Sequence, residues 1–261
     1  MKRLVQILIL GLSLLAVTAS AQVTDINNGI NKAGRQRMLS QRMAKAYLAI
    51  GMGVDVERSR KVLDASIALF DRQQVELKAY APTAEIKDVY TRVEPLWSQY
   101  KELLVGTAPS KENAVRLLAT DAQLLDLVNM GTLLLQQHSG KNQGKLVNIA
   151  GRQRMLSQRT AKFYLAQAWG VSVPTLAADM AKAREEFNAA HKELRASKEN
   201  SRAINDDLDL AQSQWAFLEH AVTVRADGAE RLKQAGNVAT SSERVLEQMD
   251  RITGLYETLG T

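Results

Sequence analysis

Long stretches of the chain space their apolar residues three or four positions apart, and short polar breaks separate these stretches. Such spacing is the period of an α-helix with one buried face. The breaks contain glycine, proline or capping residues, as at 51–53, 81–82 and 106–110, and residues of these types end helices and begin new ones. The pattern predicts eight helices, at about 24–51, 56–80, 83–104, 110–138, 144–169, 173–197, 201–226 and 229–259.

The first 21 residues follow a different pattern. Lys2 and Arg3 precede a mainly apolar run at 4–18, and small residues lead up to Ala21. This order predicts a secretory signal peptide at 1–21, cleaved after Ala21, and hence export to the periplasm of a Gram-negative cell. An uncleaved N-terminal membrane anchor is the alternative, although the apolar run is shorter than the roughly 20 residues that a spanning helix needs.

The composition restricts the chemistry of the remaining chain. It contains no cysteine, which excludes disulfides, thiolate metal sites and a cysteine nucleophile. Aromatic residues make up only 5 %, and there are 4 prolines among 261 residues, a composition that favours an all-α protein. The net charge is +6, or +4 once Lys2 and Arg3 are removed. A charge this small does not indicate a nucleic-acid partner.

One segment of the chain occurs twice. Residues 30–54 and 147–171, here called the two boxes, are identical at 18 of 25 positions and lie 117 residues apart. A weaker echo follows each box, and Trp97 is matched 118 residues later by Trp215. The repeat predicts two tandem modules, each an antiparallel four-helix bundle. The predicted modules are residues 22–140 and 141–261.

Residues 139–144 connect the modules, and the sequence leaves their structure open. They form either a flexible hinge or a polar patch inside one long helix. A continuous helix of about 55 residues would be a rod about 80 Å long. The two boxes would then be too far apart to share a ligand within one chain, whereas a hinge would let them meet.

Each box carries a second line of residues besides the face that packs into its own bundle. The steps along this line alternate between four and three, the spacing of helix contacts in a coiled coil. We call the two lines the seams. The first seam comprises Ile30, Gly34, Arg37, Gln41, Ala44 and Leu48, and the second comprises Val147, Gly151, Arg154, Gln158, Ala161 and Leu165.

We expect the two seams to pack on each other and to bring Arg37 and Arg154 face to face, because like surfaces pair about a two-fold axis. Two buried guanidiniums repel each other unless an anion or a carboxylate lies between them. A small planar oxyanion matches the fork of N–H donors on each guanidinium. The candidate ligand-binding residues are Arg37, Arg154, Gly34, Gly151, Gln41, Gln158, Ser40 and Ser157.

A structural role is the alternative for these two arginines. They would then pair with a carboxylate of a neighbouring helix, such as Asp121, Asp126 or Glu243. Four further box arginines lie away from the centre of the seams, and for them we expect structural ion pairs or contact with solvent. They are Arg35, Arg42, Arg152 and Arg159.

The box pattern N-x-A-G-R-Q-R-M-L-S-Q-R-x-A-K, at 31–45 and 148–162, resembles the opening helix of the PilJ-type domain, the N-terminal sensor region of type IV pili methyl-accepting chemotaxis transducers. It is also similar to the shorter P-box of nitrate/nitrite sensor histidine kinases of the NarX and NarQ kind. The resemblance to those kinases implies a periplasmic four-helix bundle in which one P-box arginine per subunit binds nitrate at the dimer interface. That arginine matches Arg37 and Arg154.

Other chemistries find no support in the sequence. The three histidines lack the spacing of a metal site, and the acidic cluster at 206–209 lacks the pattern of a calcium loop. No nucleotide-binding or hydrolase motif occurs. We therefore expect a protein that is not an enzyme and has no cofactor.

Two functions follow as expectations. The first is a periplasmic sensor or binding protein that recognises nitrate or nitrite between Arg37 and Arg154. It would signal through a separate sensor kinase or chemotaxis transducer in the membrane. The second is a structural adaptor whose seams dock onto the matching helix of such a partner, with the arginines contacting carboxylates there. A homodimer is a further assembly that the seams would allow.

Overall fold

The computed structural model describes residues 22–224 and 226–259, so the predicted signal peptide at 1–21 lies outside the described residues. Helices joined by short turns make up nearly all of the described part, which contains no strand and confirms the predicted all-α fold. No helix in this part is apolar over a length that would cross a membrane. The helices are α1 (Ile26–Met52), α2 (Val56–Tyr80), α3 (Ala84–Val105), α4 (Lys111–Ser139), α5 (Asn142–Trp169), α6 (Leu176–Arg195), α7 (Arg202–Thr223) and α8 (Gly228–Glu257).

Most predicted helix ends lie within two residues of the observed ones, and the exceptions are in α6 and α7. α6 begins at Leu176 instead of residue 173, because Pro174 lies in a turn where the carbonyl of Val173 accepts the N–H of Leu176 at 3.4 Å. α7 ends at Thr223 instead of residue 226, because the next residue, Val224, has an extended backbone.

The connection between the modules is a tight turn. Gly140 ends α4 with a left-handed backbone, φ 60°, and its N–H bonds to the carbonyls of Gln136 and Gln137. Glycine adopts this conformation without the strain that a side chain adds. α5 begins two residues later, at Asn142. The modules are therefore not joined by a continuous helix, and the second module folds back against the first.

The helices form two bundles that share a central interface. α1 packs on α2 and α4 in the first bundle, and α5 packs on α6 and α8 in the second. The most extensive contact in the described part of the molecule joins α1 to α5. These two helices run in the same direction, since Ile30 lies beside Gly144 near their first turns and Gly51 lies beside Trp169 near their last turns. α8 also touches α1, and α4 touches α5, so the core is continuous.

Aromatic packing repeats from one module to the other. Phe70 stacks on Trp97 with ring centroids 4.1 Å apart, and Phe187 stacks on Trp215 at 3.7 Å. The weak echo that follows each box in the sequence therefore marks equivalent positions in the two cores.

The last helices of the two modules are equivalent at a different sequence offset from that of the boxes. Asn148 donates from Nδ2 to Gln136, and Asn31 donates in the same way to Glu257. The two asparagines are 117 residues apart, whereas their partners are 121 residues apart. Residues of α4 and α8 are therefore equivalent at an offset of 121, and this relation identifies the counterparts compared below.

Candidate functional site

The predicted seams pack on each other within one chain, and every seam residue is buried. Where α1 crosses α5, a Cβ added to Gly34 would lie 3.8 Å from Cα of Gly151. It would also lie 3.3 Å from Nη2 of Arg37 and 3.5 Å from Nη2 of Arg154. Glycine here allows the two backbones to approach and leaves room for both guanidiniums. The structure thus brings the two arginines together at the crossing.

Each arginine binds an asparagine of the opposite box. Arg37 donates from Nη2 to Oδ1 of Asn148 at 2.6 Å and to its backbone carbonyl at 3.3 Å. Arg154 donates from Nη2 to Oδ1 of Asn31 at 2.8 Å and to its backbone carbonyl at 3.2 Å. This reciprocal exchange follows the two-fold relation between the boxes and fixes the register of α1 against α5.

The other terminal nitrogen of each guanidinium breaks this symmetry. Arg154 donates from Nη1 to the carboxylate of Asp250, which also accepts from Arg35 at 2.9 Å. Arg37 donates from Nη1 to Oδ1 of Asn129 at 2.8 Å. Asn129 and Asp250 are equivalent positions, 121 residues apart. One arginine therefore meets a carboxylate where the other meets a neutral amide.

Both arginines are removed from solvent. Arg37 is 1 % exposed and Arg154 is 0 % exposed, and each has a buried Nε without a hydrogen-bond partner among the described residues. Burial, together with the charges of Arg152 and Arg154, lowers the pKa of Arg37 to about 9. Burial and the charge of Arg35 lower the pKa of Arg154 to about 10, although Asp250 acts in the opposite direction. The charge of Arg37 is the less compensated of the two.

Ser40 and Ser157 bond to the backbone of the seams. Their hydroxyls donate to the carbonyl of Arg37 at 3.0 Å and to the carbonyl of Arg154 at 2.8 Å. Serines inside helices often satisfy their hydroxyl on a carbonyl of the preceding turn. These two predicted site residues therefore lie beside the arginines without a hydrogen bond to either guanidinium.

Gln41 and Gln158 lie about one turn beyond the arginines, with their amides directed to the last helix of each module. Gln41 donates to Asp121 at 2.8 Å, and Gln158 donates to the carbonyl of Ser242 at 2.9 Å. Neither glutamine bonds to a guanidinium. Of the predicted site residues, the structure thus gathers the two arginines and the two glycines at the crossing and places the glutamines in the next layer.

One turn beyond the glutamines lies a layer of buried ion pairs. Lys162 donates to Asp121 at 2.6 Å, and Lys45 donates to Glu243 at 2.5 Å. Each of these buried charges has an opposite partner. Arg37 differs from them, because all its hydrogen bonds to described residues go to neutral amides and carbonyls.

The box arginines outside the seams have structural contacts. Three of them form ion pairs and the fourth lies near an aromatic ring. The pairs are Arg35–Asp250, Arg42–Glu243 and Arg152–Glu186, and Arg159 lies 5.4 Å from the ring centre of Phe163. A structural ion pair, the alternative considered for the two seam arginines, also fits Arg154. Its partner is Asp250 and not one of the carboxylates named from the sequence. Arg37 has no such ion pair with a described residue.

No three histidine, aspartate or glutamate side chains converge as metal ligands in the described part of the chain. Members of the acidic cluster at 206–209 form separate ion pairs, with Asp207 bound to Arg251 at 2.8 Å and Asp209 bound to Arg195 at 2.9 Å. These contacts tie α7 to α8 and α6.

Arg37, Arg154 and the four residues that accept hydrogen bonds from their terminal nitrogens form what we call the arginine layer. Sequence reasoning missed these four partners. Asn31 and Asn148 could have been found, because each stands three residues before a seam glycine in both boxes. No such sequence feature marks Asn129 and Asp250. They lie outside the boxes, they differ in type, and their offset is 121 instead of 117.

A family model matches the chain twice. Its description is "PilJ: Type IV pili methyl-accepting chemotaxis transducer N-term", and the matched segments are residues 19–123 and 135–253. Each segment contains one box with its arginine. No curated protein and no solved structure matches this chain.

Proposed function

The chain belongs to the PilJ family of type IV pili methyl-accepting chemotaxis transducer N-terminal domains, and from this premise we propose that it is a periplasmic sensor protein that binds a small oxyanion at Arg37. The family is described as the N-terminal domain of methyl-accepting chemotaxis transducers, and this description supports a sensor role. Nitrate and nitrite are the first candidates, because the boxes are similar to the P-box of nitrate/nitrite sensor kinases. Arg37 and Arg154 are the arginines that this similarity selects.

One observation carries the proposal: Arg37 is buried at the centre of the molecule and has no carboxylate partner among the described residues. A buried cation that is bound only by neutral groups is unfavourable, because it loses hydration without gaining an opposite charge. A bound anion supplies that charge. A planar oxyanion also presents two coplanar oxygens to the donors of a guanidinium.

Asn129 is the group that the anion would displace. Asn129 is only half-buried, and its Oδ1 accepts a hydrogen bond from Nη1 of Arg37. Its rotation would expose that nitrogen, and the unpartnered Nε of the same guanidinium offers a further donor. Asn148 is buried and stays as a fixed acceptor on Nη2. Because Arg154 already pairs with Asp250, we propose one anion site per chain.

The signal would pass from Arg37 through α1 and α5 to a membrane-bound chemotaxis transducer or sensor kinase. These two helices share the largest interface of the described part, so a shift of the arginine layer moves one module against the other. The adaptor alternative, in which the seams themselves dock onto a partner, is less well supported. Both seams are buried against each other within the chain.

Calorimetric titration of the purified protein with nitrate and nitrite, with chloride as the comparison anion, tests the proposal. We expect one nitrate or nitrite per chain for the wild type and at least tenfold weaker binding for Arg37→Gln. Arg202→Gln is the matched control, since Arg202 is exposed on α7, and it should bind as the wild type does.

Arg37→Lys separates a general charge effect from recognition by the guanidinium. Lysine keeps the positive charge but lacks the planar fork, so we expect binding between that of the wild type and that of Arg37→Gln. Circular dichroism verifies that each variant is folded. Failure of the wild type to bind either oxyanion, or unchanged binding by a folded Arg37→Gln, overturns the proposal.

A further inference from the structure

A cleft of about 330 Å³ opens between α1, the start of α2 and the first half and middle of α8. Its volume is in the range of pockets that hold small molecules. Ala46, Ala49 and Val62 contribute apolar surface to its lining, and Arg58 and Arg244 are among its polar residues. The cleft is separate from the arginine layer, because Arg37 and Arg154 do not line it. It joins helices of the first module to the last helix of the second.

Three residues that line the cleft are small, and the residues at the equivalent positions of the repeat are larger. Two of these counterparts, Leu118 and Phe163, are buried, so the larger side chains fill the equivalent space. The residues that differ are Ala46, Gly236 and Ala239 at the cleft, which correspond to Phe163, Val115 and Leu118. The cleft is therefore a property of these particular residues and not of the repeated fold.

The charge of the lining also differs between the two sides. Arg58 and Arg244 line the cleft, and neither forms a hydrogen bond or an ion pair with a residue that the structure describes. The counterpart of Arg244 is Gln123, and the counterpart of Lys233, a third cation of the lining, is Glu112. At these two positions the side with the cleft carries cations where the other side carries a neutral and an acidic residue. Asp55 and Glu243 also line the cleft and correspond to the neutral Ser172 and Ala122, so the difference in charge between the two sides is smaller than the cations alone would give.

Two acidic residues line the cleft, Asp55 and Glu243, against four cations, Lys45, Arg58, Lys233 and Arg244. Asp55 is exposed, and Glu243 is already neutralised. Glu243 accepts from Lys45 at 2.5 Å and pairs with Arg42, and Lys45 also donates to Ser242 at 2.9 Å. A ligand with a negative charge would therefore meet the unpaired guanidiniums of the lining without strong repulsion from Glu243.

We propose that this cleft binds a small organic anion, a carboxylate with a short apolar body. The carboxylate would bind Arg58 and Arg244, and the apolar body would cover Ala46 and Ala49. Guanidiniums recognise carboxylates through paired hydrogen bonds, and the apolar lining favours a ligand that buries methylene groups. Such a ligand would contact both modules, and it is distinct from the inorganic oxyanion proposed for Arg37.

Titration of the whole protein with acetate, propionate and butyrate at constant ionic strength tests this inference. We expect the affinity to rise about fourfold with each methylene that the cleft buries, while 1-butanol, which lacks the charge, binds at least tenfold more weakly than butyrate. Nitrate should not compete with butyrate, and butyrate binding should persist in Arg37→Gln. Failure of this site is thereby distinguished from failure of the oxyanion site.

Two variants copy the residues of the other module. Ala239→Leu introduces the side chain of its counterpart Leu118, fills the cleft and should abolish butyrate binding. Arg244→Gln introduces the side chain of its counterpart Gln123 and should weaken butyrate binding at least tenfold. Both should keep the wild-type circular dichroism spectrum and the wild-type response to nitrate. The inference is wrong if the wild type binds none of the carboxylates, or if both folded variants bind butyrate as the wild type does.

Discussion

Arg37 donates a hydrogen bond of 2.8 Å to Asn129, a neutral residue at the position that Asp250 occupies beside Arg154. The two guanidiniums share the same helix crossing, the same kind of asparagine partner and the same burial. This contact is the direct difference in their charge balance, and Glu257, which stands where the first half has Gln136, adds a second negative charge near Arg154. Both differences leave Arg37 as the arginine that is available to an anion.

Asn129→Asp should give the first half of the layer the carboxylate that Asp250 supplies in the second. A carboxylate beside Arg37 compensates the buried charge, so we expect the free energy of unfolding to rise by about 1 to 3 kcal/mol. The same carboxylate should abolish oxyanion binding. Urea unfolding and calorimetry measure the two effects. Asn129→Ala, which removes the amide without adding charge, should bind oxyanion at least as tightly as the wild type; weaker binding there would contradict the displacement of Asn129.

Asp121→Asn should destabilise the protein strongly. Asp121 is 0 % exposed and pairs with the buried Lys162, so the variant leaves an ammonium group without its counter-charge. Removing one partner of a buried pair costs about 3 to 5 kcal/mol. Glu57→Gln is the matched control, because the Glu57–Lys61 pair is exposed, and its loss should change stability by less than about 1 kcal/mol. Chemical denaturation compares them, and equal effects would contradict the buried-pair assignment.

Glu243 should make the protein sensitive to acid. Burial alone would raise the pKa of Glu243, but Lys45 and Arg42 outweigh it and lower the pKa to about 2. Because the folded pKa lies below the unfolded value of 4.5, the carboxylate stabilises the fold above pH 4.5, and this contribution is lost as the pH falls towards 2. Urea unfolding between pH 6 and 2 should show a steeper loss of stability in the wild type than in Glu243→Gln, and equal slopes would contradict the shift. The pKa of Asp250, which Arg154 and Arg35 lower against the effect of burial, leaves a residual slope in the variant.

Two glycines in helices should respond to alanine in opposite ways. A Cβ on Gly51 would lie 2.2 Å from Cη2 of Trp169, so Gly51→Ala forces the indole to move and should lower stability by about 1 to 3 kcal/mol. A Cβ on Gly254 meets nothing within 4 Å, so Gly254→Ala should raise stability by about 0.5 to 1 kcal/mol through helix propensity alone. Thermal unfolding of both variants gives the comparison; destabilisation by Gly254→Ala would show that its surroundings are not open.

The helices and the seam were predictable because both depend on local periodicity. The spacing from Ile30 to Leu48 identifies one helical face whatever lies opposite, and its duplication identifies the partner. The turn at Gly140 was not predictable in the same way. Its sequence suits both a helix and a break, and packing of the second module on the first selects the break. Tertiary contacts of this kind override local preference.

The composition of the arginine layer was predictable only in part. Arg37 and Arg154 follow from the phase of the box helices, but their outer partners lie 92 and 96 residues away along the chain. The offset between Asn129 and Asp250 is 121, so a comparison of the repeats at the box offset of 117 does not align them. Their roles follow from the packing of α4 and α8, which the sequence alone does not define.

The turn at Gly140 joins two halves that would otherwise have to find each other in solution. In a homodimer of one module, both arginines would meet the same residue, because the two subunits share one sequence. The two halves of a fused pair can differ in sequence, so Asn129 and Asp250 can differ. The charge at the interface can therefore be distributed unevenly between the two halves. The fused interface also forms at any dilution, because its two halves stay at a high effective concentration. An anion site at this interface would therefore be complete within every single chain, whatever the concentration of the protein.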